Sequence, residues 1–319
     1  MPDPVAAPTG ASAVLPVVAV VGPTATGKSE LALDLAERLG GEIVSADASQ
    51  LYRGMDIGTA KVPLDRRRGI PHHQLDLLEV TEEASVAAYQ REARTDVGRI
   101  RAAGKLPVVV GGSGLYVRAV LDRLQIPPTD ADLRRGLEEQ LATDGVDALF
   151  SRLAALDPSA AAAIGARNGR RIVRALEVVQ LTGQPFPATM PSREYVAPTV
   201  TLGLELPRDR LDERIGARVV RMWADGLLAE VAGLLDRGLR AGRTASRALG
   251  YAQAVAQLDG VLDRDQAVAA TTAATRRFAR RQQSWFRADP RVRWLRADDP
   301  DLLATALALV AAGDNGRDG

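Results

Sequence analysis

The 319-residue sequence contains no cysteine and only two histidines, His72 and His73. The absence of cysteine excludes disulfides, cysteine-ligated zinc sites and thiol catalysis. Because adjacent side chains diverge in regular backbone, we expect these histidines to hydrogen-bond in a loop instead of forming a metal site. No apolar run is long enough to span a membrane, and the acidic, proline-containing start is unlike a signal peptide. The sequence therefore predicts a cytoplasmic protein that contacts no membrane.

Lysine is also scarce. The only lysines are Lys28, Lys61 and Lys105, and every other basic residue is arginine. The formal net charge is +1, so a polyanionic partner would have to be recognised by local basic clusters. In a chain so biased toward arginine, a retained lysine indicates a need for a compact ammonium group that a guanidinium cannot replace. The surroundings of Lys28 make it the strongest case.

Lys28 lies in a pattern that is typical of phosphate-binding loops. An apolar run, Val17–Val21, comes before the pattern G-P-T-A-T-G-K-S, and a helix-like segment follows it. Successive N–H groups at such a loop form a cradle for phosphate oxygens, and the final serine can hold Mg²⁺. The residues predicted to bind a di- or triphosphate are Gly22, Pro23, Thr24, Ala25, Thr26, Gly27, Lys28 and Ser29, with Ser29 as the magnesium ligand.

Strand-like and helix-like segments alternate from Val17 onward. The predicted strands 17–21, 42–47 and 106–110 are separated by helical patterns, which favours a parallel sheet covered on both faces. The predicted fold class is α/β, with a P-loop NTPase-like parallel sheet core and a helical insertion domain. Because ligands bind beyond the carboxyl ends of such strands, the phosphate loop, Asp47 and Gly111–Gly114 should converge on one crevice.

The domain prediction follows changes in composition. After Pro127 and Pro128 the chain is rich in alanine, leucine and arginine at helical spacing, and strand patterns return at Thr199. We therefore predict a discontinuous core, 15–126 and 199–311, and a helical insertion, 127–198. Residues 1–14 and 312–319 are predicted to be disordered.

Asp47 and the loop after it have two open interpretations. An acid at the end of the second strand could serve as a general base or support Mg²⁺, but it could equally cap a turn. The third strand ends in Gly-Gly-Ser without the acid that holds magnesium in many nucleotide hydrolases, which favours group transfer. Arginine clusters in 167–174 and 276–287 suit a nucleic-acid backbone, or they form solvated helix faces in an arginine-rich chain.

Together these segments resemble the tRNA dimethylallyltransferase family. The resemblance is carried by the phosphate loop, Asp47–Gln50, Gly54–Lys61 (G-M-D-I-G-T-A-K), Pro71-His72-His73, Gly111–Tyr116, Arg171–Glu177, Gly250-Tyr251 and Arg280-Arg281-Gln282. It implies transfer of a dimethylallyl group from dimethylallyl diphosphate to N6 of the adenine that follows the tRNA anticodon, with Mg²⁺ as cofactor. A monomer is expected.

The resemblance also implies residue roles. Asp47 is the expected general base, and Ser113 stands where the family commonly has a threonine beside the diphosphate. Arg218 resembles an arginine that contacts the diphosphate, although Arg214 lies close by in the sequence. The expected tRNA-binding residues are Asp47, Ala48, Ser49, Gln50, Arg134, Arg170, Arg171, Ile172, Val173, Arg174 and Arg247.

Three other functions remain open at this point. An adenylate isopentenyltransferase would use the same donor but need neither the insertion nor the arginine-rich helices. A shikimate-kinase-like phosphotransferase fits the phosphate loop and Asp47 but would require ATP. A non-catalytic, nucleotide-dependent RNA-binding switch would bind RNA without turnover.

Overall fold

The computed structural model describes residues 15–187 and 193–313. The segments that we predicted to be disordered lie outside these residues, apart from Ala312 and Gly313. The structure divides into two compact units, a core formed by the two ends of the chain and an insertion, Arg123–Glu194. The insertion predicted from composition, 127–198, is shifted by four residues at both ends, because Tyr195 belongs to the core. Its hydroxyl lies 2.8 Å from Oγ1 of Thr201, and its ring stacks on the Arg291 guanidinium.

In the described part of the chain, six parallel strands form the sheet of the core, in the spatial order β3-β2-β4-β1-β5-β6. The strands are β1 (Val17–Val21), β2 (Gly41–Ser45), β3 (His72–His73), β4 (Leu106–Gly111), β5 (Thr199–Glu205) and β6 (Val292–Arg296). β1 is fully buried between β4 and β5 because all five of its residues are apolar. A phosphate loop after a central strand of a parallel sheet is a P-loop NTPase-like core, which confirms the predicted fold class.

The helices of the core pack on this sheet and on one another. They are α1 (Lys28–Leu39), α2 (Val86–Ala102), α3 (Gly114–Leu121), α7 (Arg208–Ala224), α8 (Leu227–Asp236), α9 (Tyr251–Leu258), α10 (Arg264–Arg287) and α11 (Leu302–Ala311). Asp263 and Gln266 form a capping box that begins α10. No helix in 15–187 or 193–313 combines the length and hydropathy needed to cross a membrane.

The prediction of a loop at His72 and His73 was wrong. These residues form the short edge strand β3, which pairs with Ile43 and Val44 of β2. The Nε2 atom of His73 lies 2.7 Å from a carboxylate oxygen of Glu42, so the second histidine does make the expected hydrogen bond. The backbone pairing was missed because two residues are too few to show a strand pattern.

The described residues of the insertion, 123–187 and 193–194, form three helices around a core of their own. They are α4 (Ala131–Leu156), α5 (Pro158–Ile164) and α6 (Gly169–Thr182), and each begins at a capping side chain, from Asp130, Asp157 and Asn168 respectively. α4 is interrupted at Gly145, where the backbone has a φ of 83°. Leu137, Leu153 and Leu176 lie in the small hydrophobic core that these helices share.

Candidate active site

The phosphate loop begins directly where β1 ends. Gly22 has a φ of 131°, and a Cβ atom there would lie 2.5 Å from the carbonyl oxygen of Leu204 in the neighbouring strand. Glycine is therefore required at this position by both conformation and space. The hydroxyl of Thr26 donates to the Pro23 carbonyl oxygen at 2.9 Å and closes the loop on itself.

The loop presents a row of free backbone donors. Within the described chain, the N–H groups of the five consecutive residues Ala25–Ser29 have no hydrogen-bond acceptor. The first of these N–H groups precede α1, and the last belong to its first turn, where N–H groups lack partners inside the helix. This arrangement suits an anion with several oxygens, because the donors and the positive end of the helix dipole act together.

Lys28 lies folded over this cradle. Its Nζ atom donates to the Pro23 carbonyl oxygen at 2.6 Å. Burial, followed by the positive charge of Arg218, lowers the pKa of Lys28 from 10.5 to about 7, and the negative charge of Asp47 opposes this shift in part. The lowered pKa shows that Lys28 has too little negative charge nearby to offset its burial and the charge of Arg218. An anion bound in the cradle would supply that charge and stabilise the ammonium form.

The described residues around the phosphate loop offer few donors to a metal ion. In the described residues no group of three or more histidine or acidic side chains is placed to hold a metal. The exposed side chain of Ser29, in the first turn of α1, is the donor that the loop offers. Mg²⁺ commonly keeps several waters and binds through few protein ligands plus substrate phosphates, so this sparse donor set fits it.

Asp47 lies two residues beyond β2 and caps a turn there, which is one of the two interpretations that the sequence left open. Its Oδ1 atom accepts the N–H of Ser49 at 3.0 Å, as a turn-capping aspartate does. Its Oδ2 atom accepts no hydrogen bond from the residues that the structure describes and is open to a ligand. The charge of Asp47 acts on both Lys28 and Arg218, which places the three groups around one site.

Ser113 joins the loops that follow β2 and β4. Its Oγ atom accepts the N–H of Ala48 at 3.3 Å, and its own N–H donates to the carbonyl oxygen of Ala46 at 3.3 Å. Because the hydroxyl oxygen accepts in this contact, its hydrogen is left to donate to a ligand. The predicted juxtaposition of Asp47 and Ser113 is therefore found.

Arg218 reaches the site from α7. Its Nη2 atom lies 3.5 Å from the carbonyl oxygen of Thr59, and burial lowers the pKa of its guanidinium. Arg214 is exposed one turn earlier on the same helix. The structure therefore favours Arg218 over Arg214, because Arg218 acts electrostatically on Lys28.

The side chain of Gln50 is held within the protein. Its Oε1 atom accepts from the Ser45 hydroxyl at 2.9 Å, and its Nε2 atom donates to the Thr59 carbonyl oxygen at 3.3 Å. Ala48 and Ser49 are half-buried beside it. A base that is read by Gln50 would have to use its remaining hydrogen-bond capacity or displace these contacts.

The glycine-rich loop Gly54–Lys61 is fixed by residues that the sequence analysis did not assign. The carboxylate of Glu230 accepts the N–H groups of Asp56, Ile57 and Gly58 at 2.8 to 3.4 Å. Lys61 is buried, and its Nζ atom lies 2.6 Å from a carboxylate oxygen of Asp56 and 3.0 Å from the Tyr52 carbonyl oxygen. The sequence signals for this buried ammonium were the scarcity of lysine and the place of Lys61 at the end of the G-M-D-I-G-T-A-K motif.

In the insertion, two of the predicted tRNA-binding arginines are bound to a buried carboxylate. Glu177 is fully buried and accepts from Arg134 at 2.7 Å, Arg174 at 2.7 Å and the Thr129 hydroxyl at 2.6 Å. Burial disfavours ionisation of Glu177, but these hydrogen bonds outweigh it and lower its pKa to about 2. Arg134 and Arg174 therefore stabilise the insertion, whatever else they bind.

The remaining predicted tRNA-binding residues differ in exposure. Ile172 and Val173 are buried in the core of the insertion, so their side chains pack and do not face a partner. We predicted them as tRNA-binding residues because they lie in a motif of the family. In the helix α6, however, the 3.6-residue period places both side chains on the buried face. Arg170 and Arg171 are exposed at the start of α6, and Arg247 is exposed in a short 3-10 turn, Ala245–Arg247.

Comparison with known families and proteins gives a consistent result. A family model described as IPP transferase matches residues 50–289, and one described as isopentenyl transferase matches 15–69. The chain is 56% identical over 298 residues to the tRNA dimethylallyltransferase of a Nocardioides species, covering 93% of this chain and 96% of the relative. It is 57% identical over 297 residues to that of Streptomyces coelicolor, covering 92% and 95%.

Solved structures agree with the sequence matches. The tRNA isopentenylpyrophosphate transferase of Bacillus halodurans is 40% identical with a TM-score of 0.67, covering 93% of this chain and 95% of that one. A eukaryotic dimethylallyltransferase, captured acting on tRNA, is 25% identical with a TM-score of 0.76, covering 92% and 78%. With the site described above and these relatives across almost its whole length, the chain belongs to the tRNA dimethylallyltransferase family.

Proposed function

We propose that this protein transfers a dimethylallyl group from dimethylallyl diphosphate to N6 of the adenine 3′-adjacent to the anticodon in tRNA, releasing diphosphate. The observation that carries the proposal is the row of five free N–H groups in Ala25–Ser29, overlain by Lys28 and within the field of Asp47 and Arg218. This site suits a diphosphate beside a carboxylate, in a chain whose relatives are tRNA dimethylallyltransferases.

The diphosphate is the leaving group of this reaction. The bond between the allylic carbon and the diphosphate oxygen breaks, and its electron pair leaves with the oxygen. The cradle of N–H groups, Lys28 and Arg218 would stabilise the charge that develops there, and the Ser113 hydroxyl would donate to a diphosphate oxygen. When bound, Mg²⁺ would be held by Ser29 and would add positive charge at the diphosphate.

Asp47 would act as the general base. As the bond between N6 and the allylic carbon forms, N6 loses one proton, and the Oδ2 atom of Asp47 accepts it. The other carboxylate oxygen stays bound to the Ser49 N–H at 3.0 Å, which fixes the orientation of the acceptor. Atoms balance: one proton moves to the carboxylate, and diphosphate is released.

The tRNA would present its adenine out of the anticodon loop stack, because a base inside the stack cannot reach a site at the end of β2. The exposed Arg170, Arg171 and Arg247 would contact the RNA backbone. Asp47, Ala48, Ser49 and Gln50 would lie against the extruded base. Monomeric action in the cytoplasm is part of the same proposal.

The comparisons favour this function over the alternatives raised by the sequence. The relatives that match over nine-tenths of the chain are named as tRNA enzymes, whereas a free-nucleotide enzyme or a small kinase would leave the insertion without a role. A non-catalytic switch would not need the Asp47 carboxylate as a proton acceptor beside the cradle.

The test is to incubate purified protein with unmodified tRNA, Mg²⁺ and dimethylallyl diphosphate, followed by mass spectrometry of the nucleosides. Prenylated adenosine that disappears when the adenine next to the anticodon is replaced would support the proposal. A prenylated free adenine nucleotide with no tRNA product would favour the adenylate enzyme. Product formation from neither acceptor would contradict prenyl transfer.

A further inference from the structure

Gln282 of α10 is a buried amide with both ends engaged. It is only 6% exposed. Its Oε1 atom accepts the N–H of Thr24 at 2.9 Å, and its Nε2 atom donates to the carbonyl oxygen of Gly112 at 3.0 Å. Both partners are backbone groups, so the two hydrogen bonds fix the backbone positions of Thr24 and Gly112.

The two partners belong to the two loops that build the site. Thr24 is the third residue of the phosphate loop after β1, and Gly112 precedes Ser113 in the loop after β4. β1 and β4 are neighbours in the sheet, so these loops leave it side by side. A Cβ atom at Gly112 would lie only 2.2 Å from the Nε2 atom of Gln282, which shows how closely the amide approaches that loop.

The chemistry of the contact requires an amide of this length. A donor must face the Gly112 carbonyl oxygen while an acceptor faces the Thr24 N–H, and glutamine supplies both from one group. A carboxylate could not donate to Gly112, and a lysine could not accept from Thr24. The bond to Gln282 also occupies the Thr24 N–H, so the row of free donors starts at Ala25.

We propose that Gln282 is a positioning residue for the diphosphate cradle. It fixes the phosphate loop at Thr24 against the Ser113 loop, so that the five free N–H groups and the Ser113 hydroxyl act on one anion. It does not touch the reacting atoms. The inference rests on the proposed function for the identity of the donor, but its effect on anion binding can be measured with inorganic diphosphate alone.

The test compares Gln282→Glu, which conserves volume, and Gln282→Ala with the wild type and with Gln283→Ala. Gln283 is the adjacent, half-buried glutamine on the same helix and serves as the matched control. Losing the paired hydrogen bonds should raise the Kd for inorganic diphosphate in the presence of Mg²⁺ by about tenfold or more. The KM for dimethylallyl diphosphate should rise similarly, while the KM for tRNA stays within about twofold.

Hydrogen exchange at the Thr24 amide reports on the contact without any reaction. It should be slow in the wild type and in Gln283→Ala, and fast in Gln282→Ala; in Gln282→Glu a carboxylate oxygen can still accept the Thr24 N–H, so only the bond to Gly112 is lost. If Gln282 only stabilised the fold, its loss would lower the active fraction or the melting temperature. It would not raise the KM for dimethylallyl diphosphate while leaving the KM for tRNA unchanged. Unchanged diphosphate affinity in folded Gln282→Ala would overturn the proposal.

A double-mutant cycle isolates the pair. Gly112→Ala should displace the amide and weaken diphosphate binding, but it should cost little in the Gln282→Ala background, where the space is vacant. If the two substitutions instead raised the Kd for diphosphate independently, so that the double variant showed the product of the two single effects, the proposal would also be overturned. If diphosphate binding depends on Gln282 but the wild type transfers no dimethylallyl group to tRNA, the proposed function fails and the positioning role stands.

Discussion

The hydroxyl of Tyr251 donates to the carboxylate of Glu230 at 2.6 Å, and that carboxylate also accepts three consecutive N–H groups of the glycine-rich loop. Tyr251 is fully buried, so the pair lies between α8, α9 and the loop. This carboxylate therefore fixes the backbone of the loop, while Met55 of the same loop is buried in the hydrophobic core.

We predict that Glu230→Ala lowers the free energy of unfolding by about 2 kcal/mol or more, because three N–H groups and a buried hydroxyl lose their acceptor. Tyr251→Phe should cost only about 1 kcal/mol, since the loop keeps its carboxylate. Urea unfolding measures both values. Asp236→Asn, an exposed change on α8, is the control, and an equal cost for Glu230→Ala and Asp236→Asn would contradict the prediction.

We predict that diphosphate binding takes up a proton at pH 8. Lys28 has a pKa of about 7 in the free protein, so it is mostly neutral at that pH. The bound anion favours the ammonium form and raises this pKa, so affinity should fall as pH rises above 7, by up to about tenfold per pH unit. Calorimetry in buffers of different ionisation enthalpy counts the protons.

The control for this proton uptake is Lys28→Met, which removes the titrating group while keeping an unbranched side chain. The variant should bind diphosphate more weakly and take up fewer protons than the wild type. Equal proton uptake by the two proteins would show that another group titrates.

We expect Asp47→Asn to keep tRNA binding within about threefold and to lower kcat by roughly 10²–10⁴-fold, the usual contribution of a general base. Asparagine retains an oxygen that can accept the Ser49 N–H, so the turn should persist. Single-turnover rates and a tRNA-binding assay separate the two effects. A variant with near-normal turnover would remove Asp47 from proton transfer.

Glu177→Gln should destabilise the insertion by about 2 kcal/mol at pH 7, because two arginines lose their ionised partner. The pKa of Glu177 falls from 4.5 to about 2 on folding, so its ionised form stabilises the protein above pH 4.5. That contribution is lost as pH falls from about 4.5 to 2, and the variant should then approach the wild type.

Hydrogen exchange by mass spectrometry can localise this effect. Faster exchange in Glu177→Gln should be confined to peptides from 123–194, and Glu139→Gln, an exposed change on α4, should leave exchange unaltered. Exchange that rises equally across the core would argue against a local role for Glu177.

The sequence was sufficient for the family and the fold class because both follow from local patterns. The strand before Gly22, the glycines and Lys28 are contiguous, and alternating apolar segments indicate a parallel sheet. The same reasoning placed Asp47 and Ser113 at neighbouring strand ends. Their roles in catalysis, and those of the tRNA-binding residues, remain predictions.

Only the tertiary structure decided which residues that are far apart in the chain contact one another. Gln282 meets Thr24, and Glu230 meets Ile57, across more than 170 residues. No periodicity encodes such pairs, because a polar side chain on a helix looks the same in sequence whether it faces solvent or a loop. For the same reason the sequence could not show that Glu177 holds Arg134. Burial and partner choice arise from packing, which sets the free energy of each polar group only once the fold has formed.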